Sequence, residues 1–358
     1  MAYTTINKQA SYFNINTFSS NGSQTSQTGL GFQPDLVWNK SRSAINSHVI
    51  CNSVSGTGKF IASNNNDSET TATGTVSSFD ADGFTLSADS GGYGNTNGRT
   101  YVNWCWKAGT TGSGTTTGSG TGKAYTYSVN TTAGFSIIKY GGNSTNGHTI
   151  PHHLGAVPEW IVIKKLDGVA KDWRVYHKGI ASPNTRAMRL NSNDYYNTDT
   201  AYWYDTAPSS TVFTIGDSDE VNNGSQQYIA YCWTSKTGYS KFGHYIGSNA
   251  GSDGNFIYTG FKPAYVIVKL ASHSGGSWNI KDIKRDWDEL GDGANPIDNQ
   301  LRAEANSGES NGEDIDLLSN GFKIKENGLN IQDSGYRYIY MAFGQSLVGS
   351  DNVPCTAR

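Results

Sequence analysis

The chain has 358 residues and a formal charge of −3, with 16% charged residues, 12% aromatic residues and 43 glycines. This composition favours an all-β protein with many turns, because long-helix proteins are rich in Ala, Glu, Lys and Leu and disordered chains lack aromatic residues. It disfavours coiled coils, helical bundles and α/β enzymes. The slightly negative charge and the lack of a long basic run give no electrostatic basis for binding nucleic acid.

The chain begins with residues 1–12, which lack the charged and apolar regions of a signal peptide. We interpret them as an N-terminal arm and as the candidate anchor to a larger assembly. The longest apolar runs, such as 160–163 and 264–268, have the length of a strand and are far shorter than a membrane span. We therefore expect a protein that is made in the cytoplasm without a signal peptide and has no membrane-spanning segment.

One unit occurs three times along the chain. Each copy has a Gly, a Pro three positions later, a β-branched residue at six and a Lys at nine. The three sets are Gly31, Pro34, Val37 and Lys40; Gly155, Pro158, Ile161 and Lys164; and Gly260, Pro263, Val266 and Lys269. Gly-x-x-Pro is typical of a turn that leads into a strand, and the β-branched and aromatic run after it predicts a buried strand.

A second strand closes each copy. Residues 101–106 match residues 228–233 and 338–343. Within this strand, Cys105 and Cys232 occupy the position that Ala342 has in the third copy. A position that accepts Cys, Cys and Ala indicates a small buried group, so packing is favoured over redox chemistry.

The repeats predict three tandem β-sandwich domains of jelly-roll or lectin-like type. In chain order the predicted parts are the N-terminal arm (1–12), repeat 1 (13–108), a Gly/Ser/Thr linker (109–123), repeat 2 (124–237), repeat 3 (238–348) and a C-terminal tail (349–358). The composition of the linker is typical of a flexible tether. Helices are expected only near 283–290 and 297–305.

The residue patterns predict no enzyme, no cofactor, no catalytic residue and no metal site. The four cysteines lack the CxxC spacing of a zinc site, and we expect free thiols. His148, His152 and His153 lie close in sequence and are interpreted as part of a turn rather than as metal ligands. No phosphate-binding loop or zinc-protease motif occurs, and no carboxylate recurs at one place in all three copies. The acidic loops, such as 217–220, leave a structural ion open.

The segment 194–204 is unusually aromatic, which makes it the best candidate for a contact surface. Tyrosine and tryptophan on loops can stack on sugar rings or fill a protein interface. The candidate contact residues are Tyr195, Tyr196, Tyr202, Trp203 and Tyr204.

Seven segments follow one family pattern from end to end: 1–8, 31–38, 78–86, 130–135, 238–243, 317–322 and 353–358. On these segments the chain resembles a family of uncharacterised, tail-fibre-like virion structural proteins from marine tailed phages. The resemblance implies a phage structural protein on the virion surface, and it carries over no catalytic residues.

The function that we expect is therefore a tail-fibre or appendage component that binds the host surface. Its expected partners are other virion proteins and a host-surface glycan or protein receptor. A symmetric homo-oligomer is expected, with a trimer favoured. One alternative is a capsid decoration (head fibre) protein that binds the major capsid protein. A less favoured alternative is a carbohydrate-active enzyme.

Overall fold

β-Strands form almost all of the regular structure, which confirms the predicted all-β fold. The computed structural model describes residue 4 and residues 6–285 and 295–345. A 3-10 helix (Gln9–Ser11) precedes repeat 1, whose strands are β1 (Phe13–Ser19), β2 (Thr25–Thr28), β3 (Leu36–Ser41), β4 (Val49–Asn52), β5 (Lys59–Phe60), β6 (Thr70–Thr71), β7 (Val76–Asp80), β8 (Gly83–Leu86) and β9 (Thr100–Trp106).

The following elements belong to the linker segment and repeat 2: β10 (Thr110–Thr115), β11 (Thr117–Gly118), β12 (Ala124–Asn130), β13 (Phe135–Gly141), β14 (His148–Pro151), β15 (Trp160–Lys165), β16 (Arg174–His177), a 3-10 helix (Pro183–Thr185), β17 (Arg186–Ala187), β18 (Asn197–Thr198), the short helix α1 (Thr200–Trp203), β19 (Val212–Ile215) and β20 (Gln227–Trp233). Repeat 3 has β21 (Ser240–Ile246), a 3-10 helix (Gly251–Asp253), β22 (Phe256–Tyr258), β23 (Pro263–Leu270), β24 (Trp278–Asp282), β25 (Ile297–Arg302), β26 (Ser310–Leu318), β27 (Gly321–Ile324) and β28 (Arg337–Gly344).

The repeats share one strand arrangement. Repeat 1 has a four-stranded sheet with the order β1-β9-β3-β4 and a three-stranded sheet with the order β2-β8-β7. In repeat 2 the corresponding orders are β10-β12-β13-β20-β15-β16 and β11-β14-β19. In repeat 3, β25 joins the two layers into one eight-stranded sheet, β21-β28-β23-β24-β25-β26-β27-β22. In every repeat the strand after Gly-x-x-Pro pairs antiparallel with the closing strand.

The Gly-x-x-Pro turn has the same backbone conformation in all three copies. Gly31, Gly155 and Gly260 have φ angles of 81°, 67° and 87°, a left-handed conformation that glycine adopts without a steric penalty. The strands that follow, β3, β15 and β23, are buried along their whole length. Burial on both faces explains their continuous run of β-branched and aromatic residues.

Each repeat has an apolar core of its own, and a further core lies between the repeats. The shared core receives side chains from the second face of the central strands of all three repeats. Near its middle, the ring centroid of Trp106 lies 6.2 Å from that of Trp233 and 5.7 Å from that of Phe343. Trp106 and Trp233 end β9 and β20, and Phe343 is the last residue but one of β28, so equivalent positions meet at the centre.

Equivalent residues also form the boundary between each pair of repeats. In each case a side-chain ring nitrogen contacts a main-chain carbonyl oxygen of the neighbouring repeat. The three pairs are Trp173 and Ala62 (2.9 Å), Trp278 and Arg189 (2.9 Å), and His48 and Arg302 (3.0 Å). They join repeat 2 to repeat 1, repeat 3 to repeat 2, and repeat 1 to repeat 3. The repeats therefore form a closed ring with approximate threefold symmetry.

The lysine that recurs nine residues after each glycine lies at the same boundaries. Each of the three lysines is fully buried, and its Nζ donates to a main-chain carbonyl oxygen of the neighbouring repeat. The pairs are Lys40 and Asn306 (3.4 Å), Lys164 and Asn66 (2.9 Å), and Lys269 and Asn193 (3.1 Å). Burial lowers the pKa to about 7 for Lys40, about 8 for Lys164 and about 7 for Lys269.

The boundary between repeats 3 and 1 carries an additional buried ion-pair network. The Arg285 guanidinium donates to the carboxylates of Asp282 and Glu309, both at 2.6 Å. Asp282 also accepts a hydrogen bond from the indole of Trp104 in repeat 1 at 2.9 Å, and Glu309 accepts one from Arg42 in repeat 1 at 2.9 Å. No chain segment leads directly from repeat 3 to repeat 1, so these contacts stabilise the boundary at which the ring closes.

The segment 109–123 is not the flexible tether that its composition predicts. Strand β10 pairs with β12 over six residues, and β11 pairs with β14. Gly112 and Gly114 lie opposite Tyr127 and Tyr125, and a Cβ at either glycine would lie within 2.7 Å of the tyrosine hydroxyl across from it. The glycines therefore make room for two tyrosine rings on the neighbouring strand. This packing role explains why the segment is rich in glycine.

The two predicted helices, the predicted tail and the predicted arm have different outcomes. The helix expected near 297–305 is wrong, because β25 pairs there with β24 and β26. Of the helix expected near 283–290, residues 286–290 lie outside the described residues, as do Cys355 and the predicted tail 349–358. The described part of the predicted arm packs onto the body: Ile6 is buried in the shared core, and the Gln9 amide donates to Gly238 at 2.8 Å.

Candidate functional site

The structure separates the five aromatic residues of the candidate contact loop. Tyr202 and Trp203 lie on α1 with exposures of 5% and 1%, so they pack in the core of repeat 2 and are removed from the contact surface. The buried indole N–H of Trp203 has a hydrogen-bond partner, since it donates to the main-chain carbonyl oxygen of Arg186 at 3.0 Å. Tyr195 and Tyr204 are 48% and 47% exposed, and Tyr196 is partly buried. Tyr195 and Tyr196 line a groove.

This groove, which we call the tyrosine groove, has a volume of about 340 Å³. It is lined by Arg189, Asp194, Tyr195, Tyr196, Asn197 and Thr198. The segment joins repeat 3 through Tyr196, whose main-chain N–H donates to the carbonyl oxygen of Ala271 at 3.4 Å. The groove therefore lies on repeat 2 beside its boundary with repeat 3.

The aromatic rings in the groove are held by neighbouring side chains. The Arg186 guanidinium lies over the ring of Tyr196, 4.2 Å from its centroid. The ring of Tyr195 meets that of Tyr196 edge-on at 5.5 Å. Such contacts fix ring orientation, so the exposed face of Tyr195 forms a supported platform.

The polar side of the groove is also ordered. Asp194 accepts a hydrogen bond from Ser192 at 2.8 Å and pairs with Arg189 at 3.3 Å. Arg189 contacts a second carboxylate, that of Asp172, at 3.1 Å. One guanidinium thus faces two carboxylates, and the second guanidinium beside the groove, that of Arg186, lies over Tyr196.

The other two boundaries have a glutamate where the tyrosine groove has Tyr196. Equivalent main-chain N–H···O bonds establish the correspondence: Tyr196 to Ala271 (3.4 Å), Glu69 to Leu166 (2.9 Å) and Glu309 to Arg42 (2.7 Å). Glu309 pairs with Arg42 at 2.9 Å, and Glu69 lies 3.7 Å from Lys59. An aromatic surface at this position is therefore particular to repeat 2.

The three clustered histidines make separate hydrogen bonds. His148 lies between Asn222 and Thr116, and His152 contacts the carbonyl oxygen of Ser209 at 3.1 Å. The ring of His153 stacks on Tyr127 at 3.8 Å. Burial lowers the pKa of each histidine, to about 4 for His152. Within residues 6–285 and 295–345, no group of three or more His, Cys, Asp or Glu side chains could hold a metal ion.

The three described cysteines are buried free thiols. Cys105 and Cys232 lie in the cores of repeats 1 and 2, where Ala342 lies in that of repeat 3. Burial raises the pKa of Cys51 to about 12, and it raises those of Cys105 and Cys232 further. A protonated thiol is a poor nucleophile, so these positions have the properties of packing residues.

Sequence reasoning missed the residues that build the boundaries. Lys40, Lys164 and Lys269 are followed eight or nine residues later by His48, Trp173 and Trp278. The carbonyl acceptors at residues 62, 189 and 302 each lie in an apolar-x-x-polar segment, 61–64, 188–191 and 301–304. Those two spacings are the signals that could have identified the boundaries, and Arg189 stands just before the aromatic segment of the groove.

No helix among the described residues is long and apolar enough to cross a membrane. No curated protein matches this chain. A family model described as a domain of unknown function (DUF7483) matches residues 8–346, which include all three repeats. The chain therefore belongs to the DUF7483 family.

Proposed function

We propose that the protein is a structural component of a tailed-phage virion that contacts the host surface as part of a tail fibre or appendage. The observation that carries the proposal is the tyrosine groove. Three repeats with equivalent boundaries form one ring. At this boundary position repeat 2 has two adjacent tyrosines, Tyr195 and Tyr196, with Tyr195 about half exposed, where repeats 1 and 3 have Ser68-Glu69 and Gly308-Glu309. A single specialised surface on a repeated scaffold is typical of a protein that presents a contact site.

The build of the ring supports this role. Apolar packing at the centre and hydrogen bonds at all three boundaries join the repeats into one body. A stiff scaffold presents a loop with little loss of conformational entropy on binding. We propose other virion proteins and a host-surface receptor as its partners, the virion surface as its location and a homotrimer as its assembly state, which light scattering of the purified chain measures.

A competition assay tests host contact. Purified protein is added to host cells before the phage, and we expect it to reduce phage adsorption. Tyr195→Ala should compete at least about tenfold less well, because it removes the exposed platform. Tyr204→Ala is the matched control, since Tyr204 is equally exposed but lies outside the groove. Equal competition by both variants, with unchanged circular dichroism, would contradict the proposal.

The second candidate is a capsid decoration protein, which the threefold symmetry of the ring favours. A ring of three equivalent lobes matches the threefold positions of an icosahedral shell. Antibody labelling of intact virions in the electron microscope separates the two functions. We expect label on the tail or an appendage, and label distributed over the shell would establish the decoration role instead.

A further inference from the structure

We propose that the tyrosine groove binds an uncharged pyranose unit of a glycan, with the sugar ring stacked on Tyr195. This inference names the ligand class of the groove and rests on the proposed host contact. It is carried by the supported aromatic face, by the polar groups beside it and by the charge of the groove.

The aromatic face has the form that a sugar ring requires. The C–H groups on one face of a pyranose ring form a flat apolar patch that packs on an aromatic ring. Tyr195 is about half exposed and is fixed edge-on against Tyr196 at 5.5 Å, while Arg186 supports Tyr196 from 4.2 Å. A ring that is already held loses little side-chain entropy on stacking.

Hydrogen-bonding groups stand beside this platform. Asp194 offers a carboxylate that is 52% exposed, held by Ser192 at 2.8 Å and by Arg189 at 3.3 Å. Arg189 and Thr198 add donors on the same surface. A carboxylate accepts hydrogen bonds from the ring hydroxyls of a sugar, and a neighbouring guanidinium donates hydrogen bonds to them, so the two groups together fix the orientation of the ligand.

The charge of the groove selects against acidic sugars. Arg189 already faces the carboxylates of Asp172 and Asp194 at 3.1 Å and 3.3 Å. The Arg186 guanidinium, the second cation beside the groove, lies over the ring of Tyr196 and donates to the main-chain carbonyl oxygen of Ala181 at 2.7 Å. A uronic or sialic acid would bring a third carboxylate to these two engaged cations, and like charges at this spacing repel. Neutral hexoses have no such penalty.

The size of the groove favours a small ligand over a protein partner. Its volume of about 340 Å³ falls at the low end of the roughly 300–1,000 Å³ of small-molecule sites. A stable protein interface would need roughly 1,200–2,000 Å² of buried surface. One or two sugar rings fit the available space.

Isothermal titration calorimetry of the full chain with neutral hexoses and their oligosaccharides tests the inference. We expect binding of at least one neutral saccharide, with sialic acid and glucuronic acid at least tenfold weaker. Tyr195→Ala should weaken binding about tenfold or more, and Tyr195→Phe should bind within about threefold of the wild type because stacking is kept. Tyr204→Ala should bind like the wild type.

Two results would overturn the inference: binding of acidic sugars alone, or equal loss of binding in Tyr195→Ala and Tyr204→Ala. Thermal melting of each variant excludes misfolding as the cause. If the protein blocks phage adsorption but binds no saccharide, the ligand class is wrong and the host contact stands. If it binds a neutral saccharide without affecting adsorption, the site is correct and the proposed host contact is wrong.

Discussion

The Nζ of Lys164 in repeat 2 donates a hydrogen bond to the carbonyl oxygen of Asn66 in repeat 1 at 2.9 Å. The same nitrogen also donates to the carbonyl oxygen of Lys171 at 2.8 Å. The lysine side chain thus joins two loops from different repeats at a fully buried point. Equivalent lysines occupy the other two boundaries, so the ring holds three buried amines in matching places.

These amines make stability depend on pH. Burial lowers the pKa of Lys164 to about 8, whereas an unfolded lysine titrates near 10.4. Between these values the unfolded chain binds more protons than the folded chain, so the free energy of unfolding rises with pH. Lys40 and Lys269, with pKa values of about 7, act in the same direction. Urea denaturation at pH 6.5, 7.5 and 8.5 should show this rise.

Lys164→Met serves as the control for that prediction. It removes one titrating amine and keeps an unbranched side chain of similar length, so the rise in unfolding free energy between pH 7 and 8.5 should become smaller. Above about pH 9 the trend should reverse, because burial also raises the pKa of the three described thiols and of tyrosines such as Tyr228. A free energy of unfolding that falls between pH 7 and 8.5 would contradict the assignment.

The contribution of the Trp173 indole hydrogen bond to the free energy of unfolding can be measured by comparison with the Trp233 indole. Trp173 donates to Ala62 at 2.9 Å, whereas the Trp233 indole N–H has no hydrogen-bond partner among the described residues. Both side chains are buried in the shared core. Trp173→Phe should therefore lower the free energy of unfolding by about 1–3 kcal/mol more than Trp233→Phe does. Equal losses in chemical denaturation would show that this bond contributes nothing.

The buried ion pairs should stabilise closure of the ring. Arg285→Met leaves the Asp282 carboxylate buried without a cation and leaves Glu309 with Arg42 alone, which should cost about 3–5 kcal/mol in the free energy of unfolding. Lys323→Met is the comparison, because its partner Asp253 is 91% exposed. An exposed pair contributes little to stability, because water and salt screen its charges. Comparable destabilisation by the two variants would argue against a special role for Arg285.

The buried thiols should resist alkylation. Burial keeps Cys51, Cys105 and Cys232 protonated at neutral pH, since it raises each thiol pKa. Iodoacetamide at pH 7.5 should leave all three unmodified in the native protein and modify them after denaturation in urea. Peptide mass spectrometry provides the measurement, and rapid native modification of Cys105 or Cys232 would contradict their placement in the repeat cores.

Local patterns were enough to predict the β-strands at the centre of each repeat. Glycine at 31, 155 and 260 followed by proline identifies a turn, and continuous apolar runs identify strands buried on both faces. The same reasoning gave a wrong prediction of a flexible tether for the segment 109–123, because Gly112 and Gly114 make room for tyrosine rings on another strand. Composition describes the segment alone, whereas strand pairing depends on its neighbours.

The sequence by itself determined the all-β class, the three copies of one unit and the aromatic segment 194–204, because each of these depends on residue type and spacing along the chain. Only the tertiary structure decided that the copies close into a ring, that the repeated lysines join them, and that Tyr195 faces a groove while Trp203 is buried. These outcomes depend on which surfaces meet, and residues distant in the chain, such as Lys40 and Asn306, supply the contacts.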